Sequence, residues 1–74
     1  MRCSLYPNPG HDRFTLESSA AITLVEVFDQ LGRRVRFNPV FNGDKEVELQ
    51  LENAAPGVYS IRINGLYAMQ VLLE

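Results

Sequence analysis

The feature that most constrains this chain is the regular recurrence of residues able to turn a backbone sharply. Asp29-Gln30-Leu31-Gly32, Asn42-Gly43, Pro56-Gly57 and Asn64-Gly65 each pair a residue of fixed or positive φ with polar side chains that bond nearby backbone. Tyr6-Pro7-Asn8-Pro9-Gly10 adds a turn near the start. Turns every 8–12 residues or so leave room only for short elements, and no stretch between them sustains a 3.6-residue apolar period. Short antiparallel strands are therefore expected.

The stretch Glu46-Val47-Glu48-Leu49-Gln50-Leu51-Glu52 shows the period of two most clearly. Its three apolar residues point one way and its polar ones the other, as in a half-buried strand. Phe14 and Leu16 alternate with polar neighbours in the same manner, as do Tyr59, Ile61 and Ile63. Ile22 to Phe28 is apolar on both sides and predicts a central strand covered on both faces. Val35 and Phe37 predict a shorter strand, followed by a longer connection from Asn38-Pro39 to Asn42-Gly43. Asn64-Gly65 predicts a two-residue hairpin, Asp29 to Gly32 a type I turn capped by Asp29, and Pro56-Gly57 a type II turn. Phe14, Phe37 and Tyr59 are expected inside, Phe28, Phe41 and Tyr67 on the surface, and Tyr6 against Pro7. The fold class is all-β: a small immunoglobulin-like Greek-key β-sandwich of about seven short antiparallel strands.

Seventy-four residues make one domain, residues 1–74, and a chain this short buries only about 60% of its unfolded surface. A hydrophobic fraction of 46% argues against disorder. Net charge is -2, and the one basic cluster, Arg33-Arg34-Arg36, is offset by Glu46, Glu48 and Glu52. That balance provides no electrostatic footprint for nucleic acid. Cys3 is the single cysteine, so no internal disulfide forms, and a half-buried place at the start of the first strand is expected. No run of about 18 apolar residues occurs. No signal-peptide pattern follows Met1-Arg2, and the chain reads as a piece cut from a longer protein.

Catalytic patterns are hard to find. His11 is the only histidine and lies beside Asp12 in a turn, without partners at metal-ligand spacing. Asn42, Asp44 and Glu46 alternate but lack the further acids of a tight calcium loop. Ser18, Ser19 and Ser60 have no histidine at a plausible spacing. Glu46 and Glu48 share a strand face at i and i+2, about 7 Å apart, a separation seen in glycoside hydrolysis but ordinary for a solvated strand face. No glycine-rich phosphate loop occurs, so no enzyme and no cofactor are expected. Trp is absent, and core or turn packing accounts for the rings better than a sugar-stacking platform.

Four motifs in fixed order resemble the type A C-terminal sorting domain of type IX secretion, the Por system of Bacteroidota. They are Tyr6-Pro7-Asn8-Pro9; Val27-Phe28-Asp29-Gln30-Leu31-Gly32-Arg33-Arg34-Val35; Leu49 to Leu51 leading into Pro56-Gly57-Val58-Tyr59; and the apolar terminal strand Met69-Gln70-Val71-Leu72-Leu73-Glu74. The resemblance spans residues 4–74. It departs from the family in one respect: Gln70 and Glu74 stand where the last strand usually carries lysine.

The resemblance implies a non-catalytic secretion and sorting signal. A cargo domain on its N-terminal side passes through the periplasm, the outer-membrane translocon recognises the folded domain, and a sortase commonly cuts before it. The cargo is then released or attached to the cell surface. The motif residues Tyr6, Pro7, Asn8, Pro9, Asp29, Gly32, Pro56, Gly57, Tyr59, Gln70, Val71, Leu72, Leu73 and Glu74 are the implied recognition elements. A sandwich also offers a strand edge to a receptor, or to a second copy in an edge-strand homodimer. The alternative is an accessory sandwich of an extracellular enzyme, carbohydrate-binding or adhesive, or a spacer docked on a catalytic domain.

Overall fold

The computed structural model describes residues 2–7 and 11–74, so Asn8, Pro9 and Gly10 of the first turn lie outside the described residues. Seven strands follow in chain order: β1 (Cys3–Tyr6), β2 (Arg13–Ser18), β3 (Val25–Phe28), β4 (Phe37–Phe41), β5 (Glu46–Leu51), β6 (Gly57–Ile63) and β7 (Tyr67–Leu73). They form a four-stranded sheet, β1-β2-β5-β4, and a three-stranded sheet, β3-β6-β7, with every neighbouring pair antiparallel. Lettered A to G, this is the ABED and CFG order of the constant-type immunoglobulin sandwich. The chain crosses between sheets after β2, β3 and β5, which makes the Greek key.

The alternation read in the sequence builds the core. Phe14 and Leu16 of β2, Val47, Leu49 and Leu51 of β5, Tyr59, Ile61 and Ile63 of β6, and Val71 and Leu73 of β7 are all buried. Val27 and Ile22 complete the cluster, with Cys3 and Phe37 packed at its margin. Each fully buried aliphatic side chain contributes about 1.5–3 kcal/mol by leaving water. Ile61 is wholly buried and lies two residues beyond Tyr59, where antibody domains place an inter-sheet cysteine. Apolar packing does that work here.

Three expectations need correction. Ile22 to Phe28 is not a central strand: only Val25–Phe28 is strand, and it forms the edge of the three-stranded sheet. Thr23 and Leu24 point their N–H groups at the Asn64 side chain, 2.7 and 3.1 Å away, so they cannot extend the ladder. The Phe28 ring is covered by arginines instead of a second layer. Asn38-Pro39 lies inside β4 and does not open a loop. Proline fits there because β4 is an edge strand, where a missing N–H leaves no ladder bond unmade. Pro56-Gly57 does not close a simple type II turn, because Gly57, at φ 151, already opens β6.

The registers sort the connections into two ends. At one end lie Tyr6, Arg13, Phe37 and Leu51 of the larger sheet with Phe28, Gly57 and Leu73 of the smaller. The opposite end carries the β4–β5 and β6–β7 turns and the β2–β3 connection.

Candidate functional site

Three of the four sequence motifs converge on the first of these ends. The turn after β3 is built by Asp29. Its Oδ1 accepts the N–H groups of Leu31 and Arg33, each at 2.9 Å, and its Oδ2 accepts the Arg33 Nε–H at 2.9 Å. Gly32 donates its N–H to the Asp29 carbonyl at 3.0 Å and takes φ 80, which completes the expected capped turn. The Arg33 backbone N–H is the largest influence holding the Asp29 carboxyl below its ordinary value of 3.8. Desolvation is the next largest influence and opposes it, and the Arg33 side chain and the Leu31 N–H add to the lowering.

The second motif is fastened to the first. A Cβ on Gly57 would lie 3.0 Å from Nε2 of Gln30, so the Gln30 side chain packs tightly over the glycine and would have to shift by a few tenths of an ångström for any larger residue. Two residues on, the buried Tyr59 donates its hydroxyl to the Ala55 carbonyl at 2.5 Å. This is the tyrosine corner of immunoglobulin-like sandwiches, which ties the connection entering the F strand to the core. The tyrosine of Pro56-Gly57-Val58-Tyr59 is therefore explained by the fold. Gln30 and the Ala55 carbonyl are the partners that sequence reasoning missed, since a surface glutamine and an alanine carry no signal of their own.

The terminal strand pairs with the same segment. Gly57, Val58, Tyr59 and Ser60 face Leu73, Leu72, Val71 and Gln70 across β6 and β7. Val71 and Leu73 point into the core, while Gln70, Leu72 and Glu74 are exposed. Between the Asp29 turn and the start of β6 runs an open groove of about 360 Å³, lined by Gln30, Leu31, Pro56 and Val58 among others.

Tyr6 and Pro7 lie at the same end but on the larger sheet. Tyr6 is about half exposed, and its hydroxyl donates to a Glu17 carboxylate oxygen across the β1–β2 pair. That hydrogen bond, aided by desolvation and the Glu17 charge, pushes the Tyr6 pKa up to about 12. The Tyr6–Pro7 peptide is cis. Asn8 and Pro9 lie outside the described residues.

No group of three or more His, Cys, Asp or Glu is placed to hold a metal among the described residues. In the β4–β5 turn, Asn42 donates its Nδ2–H to Glu46 at 3.1 Å, so its amide presents a donor to the neighbouring acid. Of the half-exposed rings, Tyr6 and Phe41 sit on β1 and β4, the two opposite edges of one sheet, and Tyr67 sits on β7 of the other, so they form no shared stacking platform.

No curated protein and no solved structure matches the chain. The family of secretion system C-terminal sorting domains does match, over residues 4–71, and so takes in most of β1 through most of β7, with the first three motifs whole and the terminal one as far as Val71. With nearly the whole sandwich matched, the chain belongs to that family, the C-terminal sorting signals of type IX secretion.

Proposed function

We propose that the type IX machinery reads the motif-bearing end of the sandwich as a folded surface. The recognition elements would be Tyr6, Pro7, Asn8 and Pro9, the turn from Asp29 to Gly32, the segment Pro56, Gly57 and Tyr59, and the strand Gln70, Val71, Leu72, Leu73 and Glu74. The observation that carries this reading is the convergence of the last three segments on one end through Gln30, the tyrosine corner and the β6–β7 pairing. Most of these residues have structural duties there. The machinery would thus read the shape they create and the side chains left exposed on it, Gln70, Leu72 and Glu74.

The domain, residues 1–74, acts without catalysis at the end of a longer secreted protein. Its N-terminal cargo reaches the periplasm, engages the translocon through this end, and is released or attached at the cell surface after a sortase cuts before the domain. A pairing of two copies through an edge strand would use the larger sheet's β1 edge or the smaller sheet's β7 edge. β4 carries Pro39, and the segment from Arg33 to Val35 bonds along β3. Sedimentation across a concentration series tests that pairing.

The export test is a fusion of a signal peptide, a fluorescent reporter and the whole chain in a type IX-competent bacterium. Removing residues 70–74 would take Val71 and Leu73 out of the core and unfold the sandwich. Alanine at Gln70, Leu72 and Glu74 together is the sharper variant, because these side chains are exposed. We expect the unaltered fusion to leave the cell and the triple variant to be retained. A folded, unaltered fusion that stays in the periplasm defeats the sorting role, and equal export of both defeats the assignment of the terminal strand.

A further inference from the structure

We propose that the outer face of the three-stranded sheet docks an acidic, partly apolar protein surface of the secretion machinery, an inference that rests on the sorting role. The register places Val58 directly beside Leu72, and Phe28 beside Ser60 and Gln70, all pointing away from the core. Val58 and Leu72 are 37% and 42% exposed. Over the Phe28 ring lie two guanidinium groups, Arg62 at 4.8 Å and Arg34 at 5.8 Å from the ring centroid. Glu26 anchors both, at 2.8 Å from Arg34 and 3.8 Å from Arg62.

That arrangement leaves charge to spare. Around the Phe28 ring two arginines stand against one glutamate, a local +1 that Glu74 offsets only at the far end of β7, while Glu17, Glu46 and Glu48 against Arg13 give the outer face of the other sheet -2. An acidic partner is steered toward the first face and repelled by the second. Phe28 and Glu26 each contact both guanidinium groups, and the exposed arginines keep further N–H donors for carboxylates. Arginine and aromatic groups beside apolar side chains are the usual centre of a protein interface. A nucleic-acid backbone would demand a larger positive surplus, and neither it nor a lipid headgroup layer offers apolar contacts for Val58 and Leu72. The groove beside Leu31 and Pro56 continues this surface toward the motif-bearing end.

The test puts opposite charges at one exposed position. In the reporter fusion, Val58→Glu and Val58→Lys remove the same apolar contact. Both lose that contact, and we expect Val58→Glu to export roughly tenfold less than Val58→Lys, as charge complementarity requires. Arg34→Glu with Arg62→Glu should behave like Val58→Glu, and Glu48→Lys on the opposite face should export normally. Circular dichroism and thermal midpoints of the purified chains confirm folding, and the paired Val58 variants keep the test alive if the double arginine variant unfolds. Equal export of Val58→Glu and Val58→Lys overturns the proposal while the sorting role stands. So does binding of the purified chain to phosphatidylglycerol vesicles that the double arginine variant abolishes, because the face would then read lipid. Retention of the unaltered fusion counts against the sorting role itself.

Discussion

Asp29 and Asn64 perform one task at opposite ends of the sandwich, and their reach along the chain is what separates them. Asp29 gathers donors from Leu31 and Arg33, within four residues. Asn64 reaches 40 residues or more. Its Oδ1 accepts from Thr23 N, Thr23 Oγ1 and Leu24 N at 2.7, 3.0 and 3.1 Å, and its Nδ2 donates to the Ala21 carbonyl at 2.9 Å. Asn64 also adopts φ 55 in the β6–β7 turn, so one residue both reverses a hairpin and clamps the crossover between sheets. The Asp29 turn shapes a surface locally, whereas the Asn64 clamp holds distant parts of the fold together.

The largest expected effect follows from that difference. Asn64→Gly keeps the positive φ but deletes four side-chain hydrogen bonds. At about 0.5–1 kcal/mol net for each of these solvent-exposed bonds, the loss should reach about 2–4 kcal/mol in urea unfolding. For a domain of this size that corresponds to a thermal midpoint lower by about 10–20 °C. Asn64→Ala should lose somewhat more, because alanine resists a left-handed backbone. A loss below about 0.5 kcal/mol for Asn64→Gly would show that the clamp is not structural.

The same contrast explains what the sequence made legible. The Asp29 turn is readable because all its bonds close within one short segment. The strands β2, β5 and β6 are readable because burial on one face imposes a period of two. Asn64-Gly65 announces its turn through backbone preference, yet nothing in those two residues announces Ala21 to Leu24 as partners. Hence Ile22 to Phe28 reads as one apolar strand, although Thr23 and Leu24 are claimed by a residue far along the chain. The site divides in the same way. The three motifs were visible, but their convergence depends on Gln30 meeting Gly57 and on Tyr59 reaching Ala55, and both contacts arise from tertiary packing.

The motif-bearing end can be probed by steps of intermediate size. Gly57→Ala brings a Cβ to 3.0 Å from Gln30 and strains a backbone at φ 151. We expect a cost of about 1–3 kcal/mol. Combining it with Gln30→Ala relieves the steric part only, so a double-mutant cycle should show coupling while the backbone cost persists. Full recovery would mean that the backbone at Gly57 is unstrained. Tyr59→Phe removes the hydroxyl bond to Ala55 and keeps the ring, and should cost about 1 kcal/mol in the same assay. If the corner supports the recognition surface, Tyr59→Phe should also reduce export of the fusion while the folded population remains high.

The smallest effect is the one that titrates, and it separates the two ends most cleanly. Hydrogen bonds from the Arg33 backbone, Arg33 side chain and Leu31 backbone place the Asp29 carboxyl below its ordinary 3.8 in the folded chain. A lowered folded-state pKa means that the stabilisation is fully present above the unfolded value. It is lost as pH falls from about 4 through the folded value. Unfolding of the natural chain and of Asp29→Asn should therefore differ by a constant amount from neutral pH down to about pH 4, and the gap should close in more acidic solution. Taking the difference between the two chains removes the other carboxylates that titrate in the same range. Added salt should narrow the gap at neutral pH, because the Arg33–Asp29 pair is solvent-facing on its arginine side. The corresponding gap for Asn64→Gly should not close with acid, since neither of those side chains carries a charge. A gap for Asp29→Asn that survives unchanged into strong acid would mean that geometry alone, without the carboxylate charge, holds the turn.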